Sequence, residues 1–161
     1  MPSTAPVGSR RVTQKTEAVA QAPAAFELAI VDVDGTKRVL GQLPPSTYAP
    51  RLSPDGRWMA YASNETGRYE VWLEPLPGTG MRYRITKDGG SHPLWRPDGR
   101  ALYFDRDHQM FSVAVNVNDP ASIGAPVALP ITGFAQAEYR RQFDLLANGR
   151  EFLMLFPVSS R

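Results

Sequence analysis

The chain has 161 residues, enough for one domain with its own core, and its 42% apolar and 21% charged content is ordinary for a globular protein. A net charge of +2 provides no basic stripe, so neither nucleic acid nor an anionic membrane is an expected partner, and no apolar run approaches the roughly 18 residues of a membrane span. The absence of cysteine excludes disulfides, thiolate metal sites and cysteine nucleophiles, and leaves the compartment open.

Residues 1–25 are rich in Ala, Pro, Thr, Ser and Gln without a sustained hydrophobic pattern. They are expected to form a disordered tail, apart from a weak helix at 16–21. They contain no apolar signal region, so the chain as given is expected in the cytoplasm, or in the periplasm if an export region is missing. From Phe26 the texture changes. Short apolar runs appear, each bounded by Gly, Pro, Asn or Asp, and no stretch keeps a 3.6-residue period over three turns. Strands are predicted at 26–33 and 37–43, then at 58–63, 69–74 and 83–86 behind a short strand before Pro54. The same series follows at 101–105, 110–117 and 127–131, and two last strands at 141–146 and 151–156. These strands are apolar on both faces, which suits sheets packed on both sides. Residues 158–161 form a short tail.

The organising feature is an internal repeat. Ala49-Pro50-Arg51-Leu52-Ser53-Pro54-Asp55-Gly56-Arg57-Trp58 recurs as His92-Pro93-Leu94-Trp95-Arg96-Pro97-Asp98-Gly99-Arg100-Ala101, an offset of 43 residues. Phe143-Asp144-Leu145-Leu146-Ala147-Asn148-Gly149-Arg150 is a degraded third copy. A four-stranded propeller blade takes about 40–45 residues. The fold class is therefore all-β, with about three β-propeller blades of four-stranded antiparallel sheets forming a partial propeller over 26–157. The division is a half blade at 26–43, blades at 48–86 and 92–131, and a half blade at 141–157. Pro-Asp-Gly supplies each tight turn, Pro presetting φ and Gly accepting a positive φ.

These residues, with Tyr61-Ala62-Ser63-Asn64-Glu65-Thr66-Gly67-Arg68-Tyr69-Glu70-Val71-Trp72 and Thr86-Lys87-Asp88-Gly89-Gly90, closely resemble the TolB-like, WD40-like propeller repeat. That repeat occurs in periplasmic TolB proteins and in the propeller regions of some bacterial serine peptidases and protein kinases. The resemblance implies the fold and is nearly silent on function, which resides in sites grafted on the fold. Family propellers usually have six or more blades, whereas this chain encodes about three.

Several motifs offer competing chemistry. Ala29-Ile30-Val31-Asp32-Val33-Asp34-Gly35-Thr36 resembles the first motif of haloacid-dehalogenase-type phosphatases, in which Asp32 would be the nucleophile and Asp34 the general acid at a Mg²⁺ site. That fold needs helices between its strands, a downstream Lys and an acidic pair. After Gly35 there are turn-punctuated strands with no helical pattern and no paired acidic motif, so a hairpin turn is the favoured reading. A calcium loop lacks its glutamate, since Leu43 stands at its twelfth position. Asp55 and Asp98 recur with the repeat and read as turn formers. The tryptophans at 58, 72 and 95 and the tyrosines at 61, 69, 83 and 103 read as packing between blades. The arginines at 82, 84, 140 and 141 read as solvated edge or loop charges. Of the two histidines, His92 precedes a proline beside an inner strand and is placed to face the central channel.

The function expected is a non-catalytic module for protein or peptide binding or scaffolding, needing no metal or cofactor. Its candidate binding residues lie at the channel mouth: Tyr48, Arg51, Ser91, His92, Tyr139 and Arg140. One alternative is the regulatory propeller of a serine peptidase or protein kinase whose catalytic domain is absent here. The other is the Mg²⁺-dependent phosphatase. A homodimer sharing blades between its half sheets is a further expectation.

Overall fold

The computed structural model describes residues 25–120 and 122–159. The expected tail and helix before residue 25, and the last two residues of the 158–161 tail, lie outside them. Every regular element described is a strand. No helix among the described residues is long and apolar enough to cross a membrane.

Twelve strands form four antiparallel sheets. A two-stranded ribbon of β1 (Phe26–Val31) and β2 (Lys37–Leu43) comes first. The first full blade is β3 (Thr47–Leu52), β4 (Trp58–Ser63), β5 (Glu70–Pro75) and β6 (Tyr83–Arg84), paired in sequence order. The second is β7 (Ser91–Trp95), β8 (Ala101–Arg106), β9 (Gln109–Ala114) and β10 (Val127–Thr132). A last ribbon joins β11 (Phe143–Leu145) to β12 (Phe152–Met154). The strand expected at 110–117 stops at Ala114, because Asn116 accepts from Asp119 and Asn118 and turns the chain back.

The blades are held face to face by three apolar cores, and strand alternation decides which residue serves which core. On β4, Trp58 and Ala60 face the second blade, while Met59 and Tyr61 face the first ribbon. On β8, Leu102 and Phe104 join the core between the full blades, and Tyr103 joins the core toward the last ribbon. A strand between two cores has no polar face, which explains the fully buried β4. Each large apolar side chain buried this way contributes about 1.5–3 kcal/mol.

The three repeat turns share one geometry. Gly56 N–H donates to Ser53 O at 2.9 Å, Gly99 to Arg96 O at 2.8 Å and Gly149 to Leu146 O at 2.9 Å. A side-chain oxygen of Asp55, Asp98 or Asn148 accepts from the backbone two residues on, at 3.0, 2.9 and 2.9 Å. Asn148 offers the same acceptor as Asp, so the degraded copy still turns. The Asp32–Thr36 segment is likewise an exposed hairpin turn joining β1 to β2. Asp32 N–H donates to Thr36 O at 2.9 Å, and Asp34 accepts from Thr36 N–H at 2.8 Å.

Three of the four arginines expected to be solvated are instead tied down, Arg141 by donating to the Phe143 carbonyl at 2.7 Å and to Asp144 at 3.4 Å. Arg82 makes a two-pronged ion pair with Glu65 at 2.6 and 3.0 Å and lies 4.7 Å over the Trp72 ring. Arg84 donates to the buried Glu70 carboxylate at 3.0 Å. Arg84 lies on β6 and Arg82 just before it, beside the acids of the preceding hairpin.

Candidate binding site at the inner rim

The site begins with a departure from regular strand geometry. Both inner strands carry a bulge, between Tyr48 and Arg51 in β3 and between Ser91 and Leu94 in β7. At each bulge the residue before the proline has a positive φ, 54° at Ala49 and 53° at His92. The β8–β9 hairpin adds Asp107 at 50° and His108 at 60°. Among the described residues these four are the only non-glycine positions with positive φ. Such backbone costs of order 1–3 kcal/mol per residue and persists where the surroundings over-determine it, often at ligand sites.

The bulges turn aromatic rings toward one another. Tyr48 meets Tyr69 edge-on at 4.7 Å between centroids, Tyr139 at 5.7 Å and His92 at 5.6 Å. Tyr69 and Tyr139 are 6.3 Å apart, and His92 lies 6.4 Å from Phe143. Tyr139 is 65% exposed, so this cluster presents an aromatic face to solvent. Burial pushes the Tyr48 phenol up to about 12, with Asp105, Glu138 and Tyr139 adding to the shift; the Ser91 hydroxyl opposes it without completing a hydrogen bond. Tyr69 is raised further, again chiefly by burial and then by the Tyr139 phenol. Both groups therefore stay protonated at neutral pH.

Beneath the tyrosines lies a buried polar pair. His92 and Asp105 are each 1% exposed, and His92 Nδ1 is 2.8 Å from Asp105 Oδ1. The other ring nitrogen of His92 is buried without a hydrogen-bond partner, as is the Tyr48 hydroxyl. A buried polar group left unpaired costs about 1–3 kcal/mol, and here two such groups sit on neighbouring rings 5.6 Å apart.

Of the residues expected at the mouth, the fold brings Tyr48, Ser91, His92 and Tyr139 together. Arg51 stays exposed; its carbonyl accepts from Trp95 Nε1 at 3.0 Å, and its charge lies close enough to oppose protonation of Arg141, whose pKa burial lowers first. Arg140 is exposed and makes no described side-chain hydrogen bond or ion pair. Sequence reasoning missed Asp105 and counted Tyr69 with the blade packing. Asp105 had a signal: at the repeat offset its counterpart is Ala62, so an acid had replaced a core alanine.

An arrangement of antiparallel blades packed face to face, with inner strands converging on one rim, defines an open, partial β-propeller of the TolB-like kind. The structure is similar to TolB from Acinetobacter baumannii, with a TM-score of 0.60 and 20% identity over 85% of this chain and 35% of that one. Weaker likenesses are to a putative TolB from Agrobacterium tumefaciens (TM-score 0.45, 22% identity, 65% of this chain and 44% of that one) and to a protein from Lactobacillus plantarum (0.49, 17%, 80% and 43%). At these identities the likeness is one of fold, and the match spans less than half the length of each of those proteins. No family model matches the sequence.

Proposed function

We propose that this chain is a non-catalytic propeller module that binds an extended segment of a protein or peptide at its inner rim. The observation that carries the reading is the edge-on cluster of Tyr48, Tyr69 and Tyr139, packed on the unsatisfied His92 and open to solvent at Tyr139. Tyrosines supply large contact area at small entropic cost and dominate protein-recognition hot spots. The Asp105–His92 pair has the form of the orienting half of a hydrolase triad, but among the described residues no hydroxyl hydrogen-bonds the free ring nitrogen, which supports binding over catalysis.

The test is selection of a random peptide library on the immobilised full chain, followed by affinity measurement against wild type and Tyr139→Ser. The selected peptides should bind the variant about tenfold or more weakly, the loss of one hot-spot side chain, at an unchanged melting temperature. Equal affinity for both proteins, or no enrichment, overturns the reading.

A further inference from the structure

The His92–Asp105 pair is not required by the blade. At the 43-residue offset the preceding blade places Ala49 and Ala62 in the same two positions, with the same bulge and nearly the same positive φ. The fold is thus satisfied by two alanines, and the second blade buries an ionisable pair there instead.

The chemistry of the pair constrains what it meets. An ionised carboxylate only accepts, so the proton between the pair sits on His92 Nδ1, and Nε2 is left without a partner. His108 is set the same way: its Nδ1 is 2.8 Å from the Phe134 carbonyl, which also only accepts. Gln136 fixes that hairpin further by accepting from the His108 N–H at 2.6 Å. His92 and His108 both contribute to the wall of one open hollow of about 390 Å³, with Tyr69, Asp107 and Glu138, and the free ring nitrogen of His92 is buried behind it. Among the described residues no Lys or Arg lines it, and the nearest cations, Arg68 and Arg106 in the adjoining hollow, are held by Glu70 and by the Asp88 carbonyl. The wall therefore offers two imidazoles, an aromatic ring and two acidic residues. An anion would be repelled by Asp107 and Glu138. A metal ion would lack ligands, since no three His, Asp or Glu side chains converge among the described residues.

We infer that this cavity is a subsite for a guanidinium side chain carried by the bound segment. A guanidinium is planar and always charged, offers five donors to the acceptors present, and is attracted to an aromatic face. The inference rests on the rim-binding reading above and names the residue type that reading leaves open.

The test is a titration of the full chain, with labelled histidines, by Nα-acetyl-arginine methylamide, followed through the Cε1–H signals of His92 and His108. Both signals should shift saturably with a Kd on the order of millimolar, and the neutral citrulline analogue should bind about tenfold or more weakly. The double variant His92→Ala/Asp105→Ala, which rewrites the site as its twin in the preceding blade, should lose the saturable shift of His108. If that variant does not fold, Asp107→Asn/Glu138→Gln carries the test, because both side chains lie at exposed positions; it should weaken arginine binding several-fold. Equal binding of the citrulline analogue, unchanged arginine binding by a folded variant, or no saturation overturns the inference. Selected peptides that need Tyr139 but contain no arginine would leave the rim-binding reading standing and remove this one. Arginine binding without any selected peptide would do the reverse.

Discussion

Gly56, Gly99 and Gly149 turn with φ of 73°, 71° and 68°, a region in which a β-branched side chain is strained. Gly56→Val and Gly99→Val are each expected to lower stability by about 1–3 kcal/mol in urea unfolding. Gly149 carries an added constraint. A Cβ there would meet Pro97 Cδ at 2.7 Å, because the last turn rests on the proline of the turn before it. At Gly56 the same Cβ would meet open space. Gly149→Ala should therefore cost more than Gly56→Ala, and equal midpoints for these two would contradict the turn-on-turn packing.

Within a blade, one polar side chain at the start of the third strand ties it to the fourth. In the first blade it is Glu70, which accepts from Arg68 and Arg84 at 3.0 Å, from the Thr86 hydroxyl, and from Gly89 N–H at 3.0 and 3.1 Å. Burial raises its pKa, and the hydrogen bonds from Thr86, Arg84, Arg68 and Gly89 outweigh burial, so the net shift is downward. In the second blade the first residue of β9, Gln109, plays the part without a charge, donating to the carbonyls of Leu129 and Ile131. The consequence is a pH dependence with a definite sign. A carboxylate whose folded pKa lies below its unfolded value stabilises the fold above the unfolded value of 4.5 and loses that contribution as pH falls through the folded one. Glu70→Gln should cost about 1–3 kcal/mol at neutral pH, because the donors around it lose part of their acceptor. It should also flatten the loss of stability on acidification, read from urea unfolding at roughly pH 3.5 and pH 7. Parallel pH profiles for variant and wild type would show that Glu70 is not the titrating tie.

At the scale of the whole chain, the two ribbons are complementary. β1 and β12 are each paired on one side only, and Ile30, Val31, Leu153 and Leu155 are exposed on or beside them. Free strand edges bearing apolar side chains invite pairing with another chain. Joining β12 of one copy to β1 of another makes a four-stranded blade, and two such junctions give a ring with two-fold symmetry, two whole blades from each copy and two shared. Light scattering on the purified chain is expected to return twice the 17.8 kDa of one copy. A monodisperse monomer or a heterogeneous aggregate would contradict the shared ring.

The blades were legible in the sequence because their determinants are local. A Pro-Asp-Gly turn needs only neighbouring residues, strand alternation needs only a period of two, and the 43-residue repeat multiplies both signals. The inner rim was legible in part for the same reason, since Tyr48, Ser91 and His92 sit beside repeated prolines. The rest of the rim is assembled from distant segments. Tyr69 leads into β5, Asp105 lies on β8, His108 turns the following hairpin, and residues 133–142 carry Glu138 and Tyr139 over them. No spacing along the chain encodes that convergence. It follows from bulges, face-to-face blade packing and backbone held at positive φ, and these exist only once the blades have stacked.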